Sequence, residues 1–313
     1  MYRFLILLLV VGVAQADVTR KVKTTTRFMG ESEGKSTAYY AGDRSADESA
    51  ILWKSGLMKT MSGGKENQSV TITRLDKELI WTLNPKDKTY TEMTFAEFRE
   101  KIKKGLSEME KSKEERDTTE VSEDMYVWTV EVQSDSAPKT INGWTCRNVK
   151  LVAIGTHKEN PQDKVWITFD QWNCPEVSGA QEMRDFQMRY MKALGLDERA
   201  LTPGLMQAVT AYENQFKALI EEMKKAPGEA ITSTIEIKRN EPVGPSVKEA
   251  VRDGALGAVT SKLPFGKKRE AKSEEPRWEE RVKFRATTEL YEVSTGPVDA
   301  SKFEIPAGYI MKK

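Results

Sequence analysis

Cysteine and histidine are almost missing from this 313-residue chain, which has two of the first and one of the second. The four soft ligands of a structural zinc site are therefore not available. There is no Cys-x-x-Cys pair to carry dithiol redox chemistry. Net charge is missing too: the formal value is +1, so the surplus of Lys and Arg that neutralises phosphates is absent and nucleic acid is excluded as a partner. Beyond the first residues no apolar run approaches the roughly 20 needed to cross a bilayer as a helix. Catalytic and cofactor patterns are equally scarce. Ser32 and Lys35 have the Ser-x-x-Lys spacing, but no Ser-Asp-Asn or Lys-Thr-Gly partner follows. The stretch from Gly30 to Ser36 is one residue short of a phosphate loop, carries two glutamates, and runs on into a strand-like segment where a helix is needed. His157 would have to serve any Ser-His-Asp triad, and it falls at the tip of an expected hairpin. No enzyme activity and no cofactor is expected.

What is present begins with a leader. Arg3 precedes an apolar run from Phe4 to Val13, with small residues at Ala14 and Ala16. This reads as a secretory signal over 1–16, cleaved before Asp17. The expectation is a periplasmic protein with one domain over 17–313. In an oxidising compartment two cysteines are most simply one disulfide.

Those cysteines bracket the most informative stretch. Two strand-like runs, Thr140–Thr156 and Lys164–Cys174, flank a polar break, and Cys146 and Cys174 lie equally far from Asn160. A hairpin folded about Asn160 sets the two cysteines opposite each other and pairs Ile154 with Trp166. Opposed strand positions bring Cβ atoms to about 4.5–5.5 Å, close to disulfide geometry.

Elsewhere a period of two dominates. Val18–Met29 and Ser36–Ala41 read as strands joined through Gly30 to Gly34, and 43–69 reads as a loop or irregular excursion. Val70 and Ile72, then Leu79, Trp81 and Leu83, then Thr89–Thr91 form a meander with turns at Asp76-Lys77 and Asn84–Asp87. Strands are expected again at Tyr126–Val132, Ile231–Ile237 and Val282–Leu290. Helices are expected near 95–113, 178–194 and 203–225. The first is opened by a Thr94/Glu97 capping box and supported by Glu97–Lys101 and Glu100–Lys104 pairs. The second is opened by Ser178 and Gln181, and the third by Thr202-Pro203. Segment 240–277, with Pro242, Pro245, Pro264 and Pro276, is excluded from central strand and reads as a flexible insertion. Lys267, Lys268 and Arg269 lie in its basic cluster, which admits two readings: contact with a membrane surface or partner, or a solvated insertion.

Several turns and strand edges carry a resemblance. Gly42-Asp43-Arg44, Ile80-Trp-Thr-Leu-Asn-Pro-Lys-Asp-Lys-Thr-Tyr90, Ile141-Asn-Gly-Trp144 and Phe303-Glu-Ile-Pro-Ala-Gly-Tyr309 resemble an uncharacterised, signal-bearing bacterial family. That family is similar in pattern to the LolA/LolB-like lipoprotein carriers. The resemblance implies an α+β fold, mainly antiparallel β, with a curved half-barrel sheet covered by helices over an apolar cavity. The function expected on that basis is binding or carrying a lipid or acyl chain, with a lipid or lipoprotein acyl chain as partner. Trp81, Trp128 and Trp166 are the candidate cavity floor. Met183, Phe186 and Tyr190 are the candidate lid, in a helical region that holds five of the thirteen methionines. Unbranched methionines suit adaptable apolar surfaces, and the other reading of the same stripe is ordinary core facing a sheet, as apolar stripes at helical spacing usually are. The alternative function is a structural or partner-binding cell-envelope protein with a packed interior.

Overall fold

The computed structural model describes residues 16–28, 30–116, 125–133, 137–195, 228–243 and 277–312, and the side chains of all these except 106 and 109–116. The architecture is α+β, mainly antiparallel β. Strands β1 (Val18–Arg27), β2 (Glu31–Ala41), β3 (Arg44–Trp53), β4 (Asn67–Arg74), β5 (Leu79–Asn84) and β6 (Thr89–Thr94) run up and down as consecutive neighbours. A short helix, α1 (Gly56–Ser62), joins β3 to β4, and α2 (Phe95–Arg116) follows β6. The second half comprises β7 (Tyr126–Gln133), β8 (Lys139–Ile141), β9 (Trp144–His157), β10 (Lys164–Cys174), helix α3 (Ala180–Ala193), β11 (Glu229–Val243) and β12 (Arg277–Thr295). A 3-10 turn (Ala300–Phe303) and β13 (Ile310–Met311) end it.

All strands belong to one open sheet. Its order is β13-β6-β5-β4-β3-β2-β1-β12-β11-β10-β9-β7, with β8 beside β9. The two halves of the chain therefore lie side by side, and the seam between them is β1 against β12, from Val18 opposite Thr295 to Arg27 opposite Arg285. Every pair is antiparallel except β13 with β6.

The hairpin expected from the cysteine spacing is present in that register. Trp166 faces Ile154, Asn173 faces Arg147, and Cys146 and Cys174 are bonded, with Cα atoms 4.2 Å apart. The meander of β4, β5 and β6 also follows the sequence pattern. The capping box at α2 forms in full: the Thr94 amide donates to Glu97 Oε2 at 2.8 Å and the Glu97 amide to Thr94 Oγ1 at 3.2 Å.

Several expectations are corrected. Residues 43–69 are not a loop, because Arg44–Trp53 forms ten residues of strand. Its small and acidic residues hid the alternation. The Phe28 amide, just after β1, donates to the Gly30 carbonyl at 3.0 Å, and Gly34 sits inside β2 opposite Ile51. With Glu97 committed to the cap, the ion pairs among the described side chains of α2 are Glu100–Lys103 and Lys104–Glu108 instead of those expected. Gly179, not Ser178, caps α3. It has φ +72°, and a Cβ there would lie 2.6 Å from Val18, so the helix start is pressed onto β1. The insertion is shorter than 240–277 at both ends, since β11 continues to Val243 and β12 begins at Arg277. Pro242 is tolerated opposite Trp278 because pairing of β11 with β10 stops at Arg239, so that among the described residues no strand lies on its other side. The helix expected at 203–225 lies outside the described residues.

Each sheet face has its own cover. On one face α3 packs Phe186 against Tyr40 (ring centroids 5.5 Å apart) and Tyr190 against Phe95 (5.6 Å), and Leu194 joins Ile80. On the reverse face the C-terminal segment lays Phe303, fully buried, over Ala41, Ala46, Ile72, Trp81 and Leu83. Arg74 locks this strap: it donates to the Phe303 carbonyl at 3.3 Å and to Asp76 at 2.7 Å, and pairs with Glu304.

Two stability measurements check this arrangement. Replacing both cysteines by serine should lower unfolding free energy by about 3–4 kcal/mol in urea titrations, as loop closure across this separation implies. Phe303→Ala should cost about 3–5 kcal/mol, the range for emptying a large buried aromatic site.

Candidate ligand surface

Register sorts the candidate residues onto the two faces. On β10, Val165, Ile167 and Phe169 point to the face that carries α3, and Trp166 points away from it. The same alternation places Leu151 and Ala153 of β9, Trp128 of β7 and Ile235 and Ile237 of β11 on the α3 face. With Tyr126 these residues form one buried apolar cluster, edged by Trp128, Val149, Ile235 and Phe284, and among the described residues every member comes from a strand. The Trp128 ring lies on the backbone of Gly155, where a Cβ would be 2.8 Å from it.

The three candidate tryptophans do not share one surface. Only Trp128 borders this apolar floor. Trp81 is on the reverse face of β5, buried under the C-terminal strap, and its Nε1 donates to Glu92 Oε2 at 2.8 Å. Trp166 is also on the reverse face, opposite Lys238. Met183, Phe186 and Tyr190 do share the inner side of α3, and Met183 and Phe186 are buried. Burial pushes the Tyr190 phenol up to about 12. Their partners are Val18, Tyr40 and Phe95, so this stripe is packed core over the first half of the sheet. Lys267, Lys268 and Arg269 lie outside the described residues.

Beneath the start of α3 is a charged group that the sequence pattern did not reveal. Arg20 of β1 lies 3.7 Å from Glu229 of β11, and Arg184 of α3 reaches the other oxygen of the same carboxylate at 3.7 Å. Arg20 Nη1 also approaches the Met183 sulfur at 4.0 Å, and its Nε is buried with no hydrogen-bond partner. Asp47 faces Arg20 from β3. Burial raises the carboxyls of both Glu229 and Asp47 above their ordinary value, against the pull of Arg20. Glu229 thus ties α3 to the seam at the cost of a partly dehydrated charge. These residues are far apart in sequence, and only the β1–β12 pairing brings them together.

A second polar group closes the hairpin end of the floor. Asp163 accepts from Tyr126 at 2.8 Å and from Arg239 at 3.1 Å. Burial opposes its charge, but these two donors prevail and hold its carboxyl below the usual range. His157 stands edge-on to Tyr126, and its Nδ1 accepts from the Glu159 and Asn160 amides, each at 3.2 Å. The histidine is a turn clasp. Residues 30–34 spell Gly-Glu-Ser-Glu-Gly, the letters of a nucleophile elbow, but Ser32 lies within β2 and not on a strand-to-helix turn. His157 is five strands away. Among the described residues no group of three or more His, Cys, Asp or Glu is placed to hold a metal, and no helix is long and apolar enough to cross a membrane.

One end of the sheet carries exposed apolar side chains. Leu57 and Met61, 61% and 72% exposed, lie one turn apart on α1, which buries none of its residues. Phe28 is exposed just after the neighbouring end of β1, and the Ser55 hydroxyl ties α1 to the start of β2 by accepting from the Glu31 amide. An open pocket of about 310 Å³ lies alongside, lined by Arg27, Phe28, Gly30, Glu31, Ser55, Val282 and Lys283. The sequence signal was available in Gly-Leu-Met-Lys-Thr-Met between Ser55 and Ser62, but it sat in the segment read as loop.

A scan against protein-family models and a search of curated proteins found nothing that matches this chain.

The Glu229 group makes a pH prediction. A carboxyl raised in the folded state favours folding more as pH falls towards its unfolded value of about 4, and that contribution is lost as pH rises through the folded value. Glu229→Gln should remove this component, so the wild-type minus variant difference in Tm should grow as pH is lowered from 7 towards 4. An unchanged difference would show that Glu229 is not titrating in a buried setting.

Proposed function

We propose that the protein binds an apolar group, an acyl chain or lipid, on the floor built by β7 and β9–β11, in a non-enzymatic carrying or holding role. The observation that supports this reading is the composition of the floor: a large, buried apolar cluster on the α3 face whose described members all come from strands, with the partly buried Trp128 at its border. A fatty acyl chain needs such a surface and few polar groups. The polar clasp of Asp163, Arg239 and Tyr126 at one end of the floor would suit the junction between a chain and its headgroup. The resemblance to the LolA/LolB-like carriers points the same way, as does an open antiparallel sheet with helices on one face. In this reading the sheet is the curved half-barrel of those carriers, the protein is periplasmic after removal of residues 1–16, and α3 supports the site from the side.

A second reading is favoured by a separate observation, the exposed end of the sheet. Phe28, Leu57 and Met61 together suit contact with an envelope partner or membrane surface. The β11–β12 ribbon runs past that same end to Val243 and Arg277. A structural or partner-binding role would need this surface and no ligand.

The two are separated by purifying the exported protein without detergent, then native mass spectrometry and organic extraction. A stoichiometric lipid adduct is expected. Energy transfer from protein to a bound dansyl fatty acid should fall more on Trp128→Phe than on Trp166→Phe. No copurified lipid together with no saturable binding would reject the carrier role and leave the docking role.

A further inference from the structure

Protruding apolar side chains, an unshared cation and a polar pocket adjoin at one end of the sheet. Leu57 and Met61 stand on one side of α1, and Phe28, 49% exposed, follows the end of β1. Three side chains of this size, exposed to this degree, present on the order of 300 Å². A stable protein–protein interface takes about 800 Å² from each partner, so the patch is too small for one. Membrane attachment sets no such minimum: it scales with the apolar area that enters the boundary between headgroups and acyl chains, and adds the attraction of basic side chains for anionic lipid. The basic side chains here are Arg27, Lys54, Lys59, Lys65 and Lys283. Lys54 pairs with Glu33 and Lys283 with Glu241, whereas Arg27, beside Phe28 and exposed, has no ion pair among the described residues. The whole chain carries a formal charge of +1, so attraction to an anionic surface has to be local.

Resting on the surface-contact reading given above, we propose that this end of the sheet attaches the protein to a phospholipid bilayer containing anionic lipid. Phe28, Leu57 and Met61 enter the acyl boundary, and Arg27 holds a headgroup phosphate at the mouth of the adjoining pocket of about 310 Å³. A guanidinium offers a planar fork of donors that matches a phosphodiester. The Ser55 hydroxyl lines the same pocket and accepts from the Glu31 amide, which leaves its own proton to donate. Glu31 also lines the pocket, as does Lys283. The attachment connects with the floor: Phe28 stands edge-on to Phe284, ring centroids 6.1 Å apart, and Phe284 borders the buried strand-built cluster. An acyl chain leaving the bilayer at this end meets aromatic rings first and the floor behind them.

Cosedimentation with phosphatidylcholine vesicles, with and without phosphatidylglycerol, tests this. The wild type should bind both and prefer the anionic vesicles. Leu57→Asp combined with Met61→Asp should weaken binding to either by about tenfold or more, with an unchanged circular dichroism spectrum because both side chains are already exposed. Arg27→Gln should remove most of the preference for phosphatidylglycerol and leave binding to phosphatidylcholine alone. Met188→Asp, an exposed position on α3, should bind as the wild type does. No vesicle binding, binding insensitive to the double substitution, an anionic preference unchanged in Arg27→Gln, or equal loss in Met188→Asp would overturn the proposal. A photoreactive residue in place of Met61, activated in cells, separates that failure from failure of the reading beneath it. A protein adduct without vesicle binding would overturn the bilayer and keep a protein-docking surface, and no adduct to protein or lipid would reject both.

Discussion

The pairing of β1 with β12 is the contact that makes one molecule of two meanders. Every other long strand in the sheet finds a partner close to it in sequence, but this seam joins Val18 to Thr295 across almost the whole chain. Closing so long a loop costs conformational entropy early and is repaid only when the flanking strands are in place. The seam is not self-sufficient. Its outer surfaces are Thr-rich and charged, and a register irregularity falls at Lys21/Val22. Two other elements hold it, and both belong to the second half.

The first is α3. It leaves β10 just after Cys174, sets Gly179 against Val18 of β1, passes Tyr40 of β2, and donates from Arg189 to the Gly42 carbonyl at 2.9 Å in the β2–β3 turn. It ends against Ile80 and Phe95, where Arg99 of α2 donates to the Ala193 carbonyl at 2.7 Å. The second is the C-terminal strap, which starts at the seam with the Gly296 amide on the Asp17 carbonyl and runs along the reverse face to β6. The first half of the sheet is thus covered on both faces by segments from the second. Removing the disulfide would loosen the origin of α3 as well as the hairpin, because Cys174 is the last residue of β10.

Legibility followed this division. The β9–β10 hairpin could be read to the residue, because two cysteines about one turn allow few registers and strand alternation leaves only one. The β4–β6 meander and the α2 cap were legible for the same reason: turn residues, period and cap chemistry are all local. The strand β3 was missed because Ser45, Ala46, Asp47, Glu48 and Ser49 have low strand propensity, and its place is set by β2 and β4 on either side. Pro242 misled because whether a strand position is central depends on where its neighbour ends. The seam and the Arg20–Glu229–Arg184 group left no signal, since pairings remote in sequence have no periodicity to betray them.

The same reasoning explains why the tryptophans scattered. Large aromatics on strands were grouped by residue type, but face is decided by parity and position by topology. Trp81 follows Ile80 on β5, so one of the two must point to each side. Phe95 and Leu194 claim Ile80 for the α3 face, and Trp81 is left for the strap, where Arg74 and Lys77 lie over its ring at 5.9 and 5.2 Å. Trp128 goes the other way because Tyr126, two residues earlier, is held inward by Asp163. Among the described residues, the buried apolar cluster built wholly from strands therefore lies on the second half of the sheet, beyond the seam. The first half is the one braced on both faces by α3 and the strap.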